Sequence, residues 1–490
     1  MELNKPLFAV LFPLIVFIYF LIPKRFRLEW LLVVSYALYF SVSFGYTCMI
    51  IISTISTYAA GRFIQSLYDR RESEDSGKIY VWAVLFITLA VNVGLLIYFK
   101  YINFLLSMVN SFYPVVAWDI KLPVSIIVPV GISFYTFQVI GYLTDVYKQK
   151  VRAERNFIRY ALFVSFFPKV TVGPIERSDG FLQQLKVSYD FDYERVRRGL
   201  LIMAWGYFCK LVIANRCAVL ADTVFKDFNK LTGFQTLLGS FAYTIQIYTD
   251  FMGYSLIAVG AAYIFGYNLI NNFSRPYFAS SIKDFWRRWH ISLSLWLRDY
   301  IYIPLGGSHC SAIRKYLNVM ITFFVSGIWH GANYTFIFWV LMHGLMQILE
   351  DIGKTYKNKF ALVKSFGEIT AEYKVVPIFC TFFMVNFLWV FFRSPSIQAA
   401  FSFCRKAIHF YNGFGRGISK LGLDWFNLFM LGIALVVLLF VSYFNEEHGD
   451  IFEWLDAKKR IVRYFIYWGL VLMIVFSLTL NTHEFIYMQF

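Results

Sequence analysis

Seven histidines, at positions 290, 309, 330, 343, 409, 448 and 483, are the side chains through which this chain can exchange a proton near neutral pH. His330 differs from most of them in its surroundings. It lies in VSGIWHGANYTFIFW (325–339), inside a run with no charged residue from 316 to 349. An ionisable ring is costly to insert at such depth and by default marks function, usually in a polar cavity within a helical bundle. Burial disfavours the imidazolium, so the ring is neutral and can accept a proton. A hydroxyl attacking an acyl thioester needs such a base, and needs neither a covalent enzyme nucleophile nor a metal. Two readings compete with this one. The imidazole could simply bond a carbonyl of a neighbouring helix, and His343, in VLMHGLM, lies equally deep.

Other chemistries lack their parts. A zinc site on a helix needs two histidines about four residues apart with a third ligand nearby, and no two histidines are that close. There is no GxSxG elbow, no glycine-rich phosphate loop before a helix, and no carboxylate pair within an apolar run. Gly306-Gly307, after Pro304, reads as a turn. The six cysteines (48, 209, 217, 310, 380 and 404) contain no CxxC pair, so neither a disulfide frame nor a metal site is expected. Cys310 as an acyl-carrying thiol is a minor alternative, because a direct transfer needs none.

The elements that hold these histidines must be membrane helices. The chain of 490 residues is 59% hydrophobic, 21% aromatic and only 16% charged, where a soluble protein carries about a quarter of its residues charged. Uncharged or nearly uncharged runs at 6–23, 79–99, 122–144, 251–274, 375–392, 425–445 and 464–482 each approach the roughly 20 residues that cross a bilayer as a helix. The expected fold is all-α and polytopic, one domain over 1–490, with on the order of a dozen membrane helices of that length. The first run lacks a small-residue cleavage site and is expected to be retained as a helix. Runs 30–61 and 316–349 are too long for one span and read as helical hairpins, broken near 43–45 and 331–333. Runs 231–249 and 251–274 are divided only by Asp250.

Two intervals do not read as simple spans. YALFVSFFPKVTVGP (160–174) is interrupted by Pro168 and Pro174 and reads as re-entrant or interfacial. IKDFWRRWHISLSLWLR (282–298) reads as one amphipathic helix, with Lys283, Arg287, His290 and Ser294 on a polar stripe beside an aromatic one. The net charge of +16 is explained by lysines and arginines retained on the cytoplasmic side, so no nucleic acid is implied. Basic intervals 24–27, 62–78 and 148–198 are thereby placed in the cytoplasm and the N-terminus outside, while the basic loop 393–420 falls outside by simple counting.

At the histidine blocks the chain resembles the membrane-bound O-acyltransferase family, in particular its bacterial branch containing the membrane subunit of alginate O-acetylation. RPYFASSIKDFWRRWHISLSLWLRDYIYIPLGG (275–307) and SGIWHGANYTFIFWVLMHG (326–344) carry the resemblance. VPVGISFYTFQVIGYLTDVY (128–147), FFPKVTVGPIERSDGFLQQL (166–185), QIYTDFMGYSLIAVGAAYIFGYNL (246–269) and the ending FIYMQF (485–490) support it. The resemblance implies a ring of tilted helices around a funnel, with the catalytic histidine at His330 and a second polar catalytic position at His290. It implies a bacterial cytoplasmic-membrane protein that takes an acetyl group from a cytoplasmic thioester, acetyl-CoA. The acetyl group would pass to an extracytoplasmic partner acetyltransferase that decorates an exopolysaccharide or cell-wall polymer. Arg287 and Arg288 are expected to attract the donor's anionic end, with ordinary snorkelling as their alternative, and Trp329 and Asn333 to line the substrate path. The competing functions are D-alanyl transfer to teichoic acids, which the PLGG turn and the chain length disfavour, and a proton-coupled transporter or flippase.

Overall fold

In lipid, a backbone must satisfy its own hydrogen bonds, and the apolar runs do so as helices. The computed structural model describes residues 3, 6–70, 75–112, 128–355, 373, 375–413 and 417–478, and among these no strand occurs. The expected ending FIYMQF and His483 lie outside the described residues, as does the start of the run 122–144. The chain packs as two compact units, Met1–Met203 with Ile257–Ile270, and Ala204–Leu256 with Asn271–Phe490.

The first unit holds α1 (Pro6–Leu21), α2 (Arg27–Phe40), α3 (Phe44–Asp69), α4 (Asp75–Phe112), α5 (Ile132–Tyr147), three shorter helices, α6 (Phe157–Ser165), α7 (Phe167–Val170) and α8 (Ser178–Gln184), and the start of α9 (Tyr193–Tyr207). The run 30–61 is the expected hairpin, α2 and α3 separated by residues 41–43. In the segment 160–174 every side chain from 160 to 170 is buried within the protein. Its two short helices are locally encoded. Asn156 Oδ1 accepts from the Arg159 amide at 2.9 Å and opens α6, and Pro168 sits in the first turn of α7, where a missing N–H leaves no bond unmade. Lys169, buried in this segment, donates to Gln138 Oε1 at 2.6 Å and to the Phe163 carbonyl at 2.7 Å.

The second unit holds the end of α9, a π-helical stretch, Phe208–Ala214, α10 (Asn215–Lys226), α11 (Gly233–Ile264) as far as Leu256, α12 (Ile282–Arg288), α13 (Ile291–Leu297), α14 (Ala312–His330), α15 (Tyr334–Thr355), α16 (Val375–Arg393), α17 (Ile397–Ile408), α18 (Trp425–Glu447), α19 (Ile451–Asp456) and α20 (Arg460–Ser477). The run 316–349 is again the expected hairpin, α14 and α15 joined by residues 331–333. The division expected at Asp250 does not occur. α11 runs unbroken from 233 to 264, and residues 265–274 are not helical beyond it. The reason is electrostatic. Lys210 Nζ lies 2.5 Å from the Asp250 carboxylate, and both side chains are at most 2% exposed, so the charge is matched where it sits.

Seven helices among the described residues are long and apolar enough to cross a membrane: α3, residues 77–106 of α4, α11, α15, α16, α18 and α20. The other apolar runs form helices that are shorter or less apolar than these. Large apolar side chains on α20 point outward, Phe465 at 82% exposure and Trp468 at 65%, a surface suited to lipid and not to water.

Close helix approach in the second unit depends on Gly253. A Cβ there would meet the Gly206 carbonyl oxygen at 2.7 Å and Lys210 Cβ at 3.0 Å. Small residues at such contacts let membrane helices meet backbone to backbone. Gly253→Leu is therefore expected to lower stability by about 1–3 kcal/mol, read as a drop in the thermal midpoint in detergent. An unchanged midpoint would mean that the two segments do not pack this closely.

Candidate active site

His290 interrupts the helix expected over 282–298. The chain forms α12, turns at Trp289-His290, and restarts as α13, with His290 at φ +43°. That left-handed conformation is uncommon for a residue with a side chain and persists only where surroundings fix it. Here they do. The Ser274 amide donates to the Arg288 carbonyl at 2.9 Å and the Ile291 amide to the Asn272 carbonyl at 3.0 Å, pinning both sides of the break. Asn272 is itself held, accepting from Ser292 Oγ at 2.7 Å and donating to Ser255 Oγ at 2.9 Å. The turn rotates His290 off the expected polar stripe into the interior, where it is fully buried.

His330 ends α14 and is 2% exposed. Its Nδ1 lies 2.7 Å from the Ser326 carbonyl oxygen. A carbonyl only accepts, so Nδ1 carries the proton and, in the neutral ring, Nε2 carries the lone pair. Trp329 touches both histidines, its ring centroid 5.6 Å from that of His290 and 5.0 Å from that of His330. Phe251 closes against His290 at 4.7 Å, while Trp339 and Phe392 close against His330 at 5.1 Å and 5.9 Å. The result is a buried proton acceptor with a fixed tautomer, and a second imidazole beside it, walled by rings.

His343, the rival on sequence grounds, occupies a different niche. It is stacked on Phe285 at 5.9 Å and flanked by Trp286 and Trp339, each at 5.3 Å, and neither ring nitrogen has a hydrogen-bond partner among the described residues. Trp339 touches both His330 and His343. The remaining expected positions fall around this centre. Asn333 Oδ1 accepts from the Thr335 amide at 3.0 Å and so helps start α15. Arg288 is committed elsewhere, bonded to both oxygens of Glu446 at 2.9 Å and to Asp284 at 3.0 Å. Arg287 is exposed. Cys310 sits in the turn after Gly306-Gly307, both of which have positive φ, with Sγ near the Gly307 carbonyl.

Two contributors escaped the reading of the sequence. Lys210 stands alone as a charge in GYFCKLVIAN (206–215), and that isolation was the signal for its ion pair with Asp250. Ser326 lies one helical turn before His330, and its buried hydroxyl has no partner among the described residues. Among the described residues no group of three or more His, Cys, Asp or Glu side chains gathers as a metal site.

Residues 36–394 match the model of the MBOAT, membrane-bound O-acyltransferase family. A probable alginate O-acetylase, AlgI, of Pseudomonas aeruginosa is 33% identical over 452 residues, covering 91% of this chain and 83% of that protein. A peptidoglycan O-acetyltransferase of Helicobacter pylori is 32% identical, covering 81% of this chain and 78% of its own length. A teichoic acid D-alanyltransferase of Bacillus subtilis is 27% identical over a shorter stretch, 56% of this chain and 71% of that protein.

Proposed function

Because this chain belongs to the membrane-bound O-acyltransferase family, we propose that it takes an acetyl group from a cytoplasmic thioester, acetyl-CoA, and hands it across the membrane to an acceptor hydroxyl. It is a multi-pass membrane acyltransferase. The acceptor side serves O-acetylation of an exopolysaccharide or cell-wall polymer, through an extracytoplasmic partner transferase, as the names of the alginate and peptidoglycan relatives suggest. The N-terminus lies outside in this arrangement, which the basic intervals 24–27, 62–78 and 148–198 support.

The observation that carries the reading is the tautomer of His330. With Nδ1–H held by the Ser326 carbonyl, Nε2 takes the proton of the acceptor hydroxyl as its oxygen attacks the thioester carbonyl. The C–O bond forms, the C–S bond breaks, and the departing thiolate recovers the proton from the imidazolium. His290 orients the acceptor or donor beside it, and Trp329 packs against both imidazoles. Asn333 stands at the turn that follows His330. Of the two arginines, Arg287 is the one whose charge is not already held by the carboxylates that bind Arg288.

The buried Lys210–Asp250 pair weighs against a proton-coupled transporter, since Asp250, the main carboxylate within the apolar runs, is already paired with a lysine. The test is donor choice. Purified protein in nanodiscs is supplied with radiolabelled acetyl-CoA and, separately, with a D-alanyl carrier-protein thioester, together with a soluble hydroxyl acceptor. Label should leave acetyl-CoA and appear as an ester. Turnover of the D-alanyl thioester alone would transfer the assignment to D-alanylation, and turnover of neither would end the acyltransfer proposal.

A further inference from the structure

The first unit carries a groove of about 470 Å³ between α1, the start of α9 and the end of α11. Its lining is apolar throughout, and Phe17, Leu21, Phe191 and Leu200 within it are at least half exposed. An open apolar surface of this kind marks a binding site for something equally apolar. We propose that the groove holds an acyl chain of an anionic glycerophospholipid, whose phosphate is bound at the groove's mouth by Lys24 and Arg25. Such binding is independent of the acyl-transfer chemistry, whose histidines belong to the second unit.

The lining favours a flexible chain over a helix. Membrane helices associate through small residues that let their backbones approach. Here the walls are built from Phe12, Phe17, Phe20, Leu21, Phe191 and Leu200, with no Gly, Ala, Ser or Thr among the lining residues. The walls are also held in place by rings. Phe12 packs against Phe265 at 6.0 Å, and Phe20 against Tyr19 at 5.0 Å and Phe191 at 5.4 Å. A hydrocarbon tail can follow so irregular a surface, whereas a partner helix would be kept at a distance by it.

Charge identifies the headgroup. α1 ends at Leu21 and KRFR follows at 24–27, the place where cations beyond an apolar helix meet lipid headgroups. Lys24 and Arg25 are exposed. Arg27 is buried and ties this stretch to the groove, donating to the Tyr189 carbonyl at 2.6 Å and the Phe20 carbonyl at 3.4 Å, with its guanidinium 5.5 Å from the Phe20 ring centroid. Lys24 Nζ reaches Asp190, beside Phe191, at 2.8 Å. Segments 24–29 and 190–198 are thereby joined at one end of the groove, and together they carry six cations against four carboxylates. Three of those carboxylates already have partners within the two segments. Asp192 accepts from the Arg195 amide at 2.9 Å, Glu194 pairs with Arg197 at 2.7 Å, and the exposed Asp190 is shared by Lys24, Arg27 and Arg195. The group as a whole keeps a positive balance.

The same end of the groove holds unmet donors. Nε of Arg27 and Nε of Arg195 are buried and have no hydrogen-bond partner among the described residues. A buried donor left so is unfavourable, and the phosphate and ester oxygens of a lipid headgroup accept charge-assisted bonds from such groups.

The experiment adds dioleoylphosphatidylglycerol or dioleoylphosphatidylcholine to the full-length protein in detergent and measures retained lipid by native mass spectrometry. Phosphatidylglycerol with a photoreactive acyl chain locates the site. Wild type should bind phosphatidylglycerol about tenfold more tightly than phosphatidylcholine, with crosslinks in 12–21 and 191–200. The double variant Lys24→Gln, Arg25→Gln should bring the two lipids within about twofold of each other and leave phosphatidylcholine binding unchanged. Leu200→Trp, which fills the groove, should weaken both. Equal affinity of wild type for the two lipids, a preference that survives the double variant, or crosslinks that fall elsewhere would each overturn the proposal. So would displacement of phosphatidylglycerol by glycerol 3-phosphate at the same concentration, because the phosphate alone would then suffice. Dimers in lipid-free detergent that dissociate in Leu200→Trp would give the groove to a second copy of the chain instead. The double variant alters exposed side chains only, so its lipid preference decides the matter even where Leu200→Trp fails to fold.

Discussion

His330→Ala should reduce acetyl transfer by about 10²–10⁴-fold, the usual contribution of a positioned general base, while the protein expresses and folds as before. The two halves of that expectation have separate origins. The rate falls because Nε2 is the proton acceptor that the fixed tautomer leaves available. The fold survives because the ring bonds a carbonyl of its own helix, one turn back, and losing such a satisfied polar contact in a membrane bundle costs only about 1 kcal/mol. Transfer of label from acetyl-CoA gives the first quantity, and the thermal midpoint in the same detergent gives the second. His343→Ala is the control. It lies in its own aromatic niche and should leave most of the activity intact. Equal losses in the two variants would remove the distinction between them, and a collapse in stability with retained turnover would make His330 structural.

Lys210→Met should destabilise the second unit by about 3–5 kcal/mol, because it leaves the Asp250 carboxylate buried without its counter-charge. Both side chains are at most 2% exposed and lie 2.5 Å apart, so water cannot take the lysine's place. Against a net stability of about 5–15 kcal/mol, such a loss should appear as poor membrane yield and early aggregation. The double variant Lys210→Met, Asp250→Leu removes both charges and should recover most of the loss. Thermal unfolding of the four proteins in one detergent forms a double-mutant cycle. A stable single variant, or a double no better than the single, would show that the pair is not coupled as its geometry indicates.

Much of the architecture was written in local patterns. The hairpins at 30–61 and 316–349 were visible because a run longer than a bilayer is thick must turn back, and the turns fell at residues 41–43 and 331–333. The two histidine blocks were legible for a related reason, since ionisable groups in apolar surroundings are rare enough to stand out. The errors share a cause as well. Asp250 was read as a divider because its partner, 40 residues upstream, is invisible to any window along the chain. The helix over 282–298 was read as continuous because its side-chain periodicity is helical on both sides of His290, and only bonds from Asn272 and Ser274 impose the break. Arg288 bonds Glu446, far along the chain, a partner that no local window shows.

By itself, then, the sequence determined a bundle of membrane helices carrying a deep histidine, since hydropathy and charge spacing act over a few turns of one chain segment. Tertiary structure decided which histidine has a defined proton position, which charges remain uncommitted, and that His290 points inward beside His330. Those outcomes depend on hydrogen bonds and ion pairs between residues distant in sequence, whose energies exist only once the segments have packed.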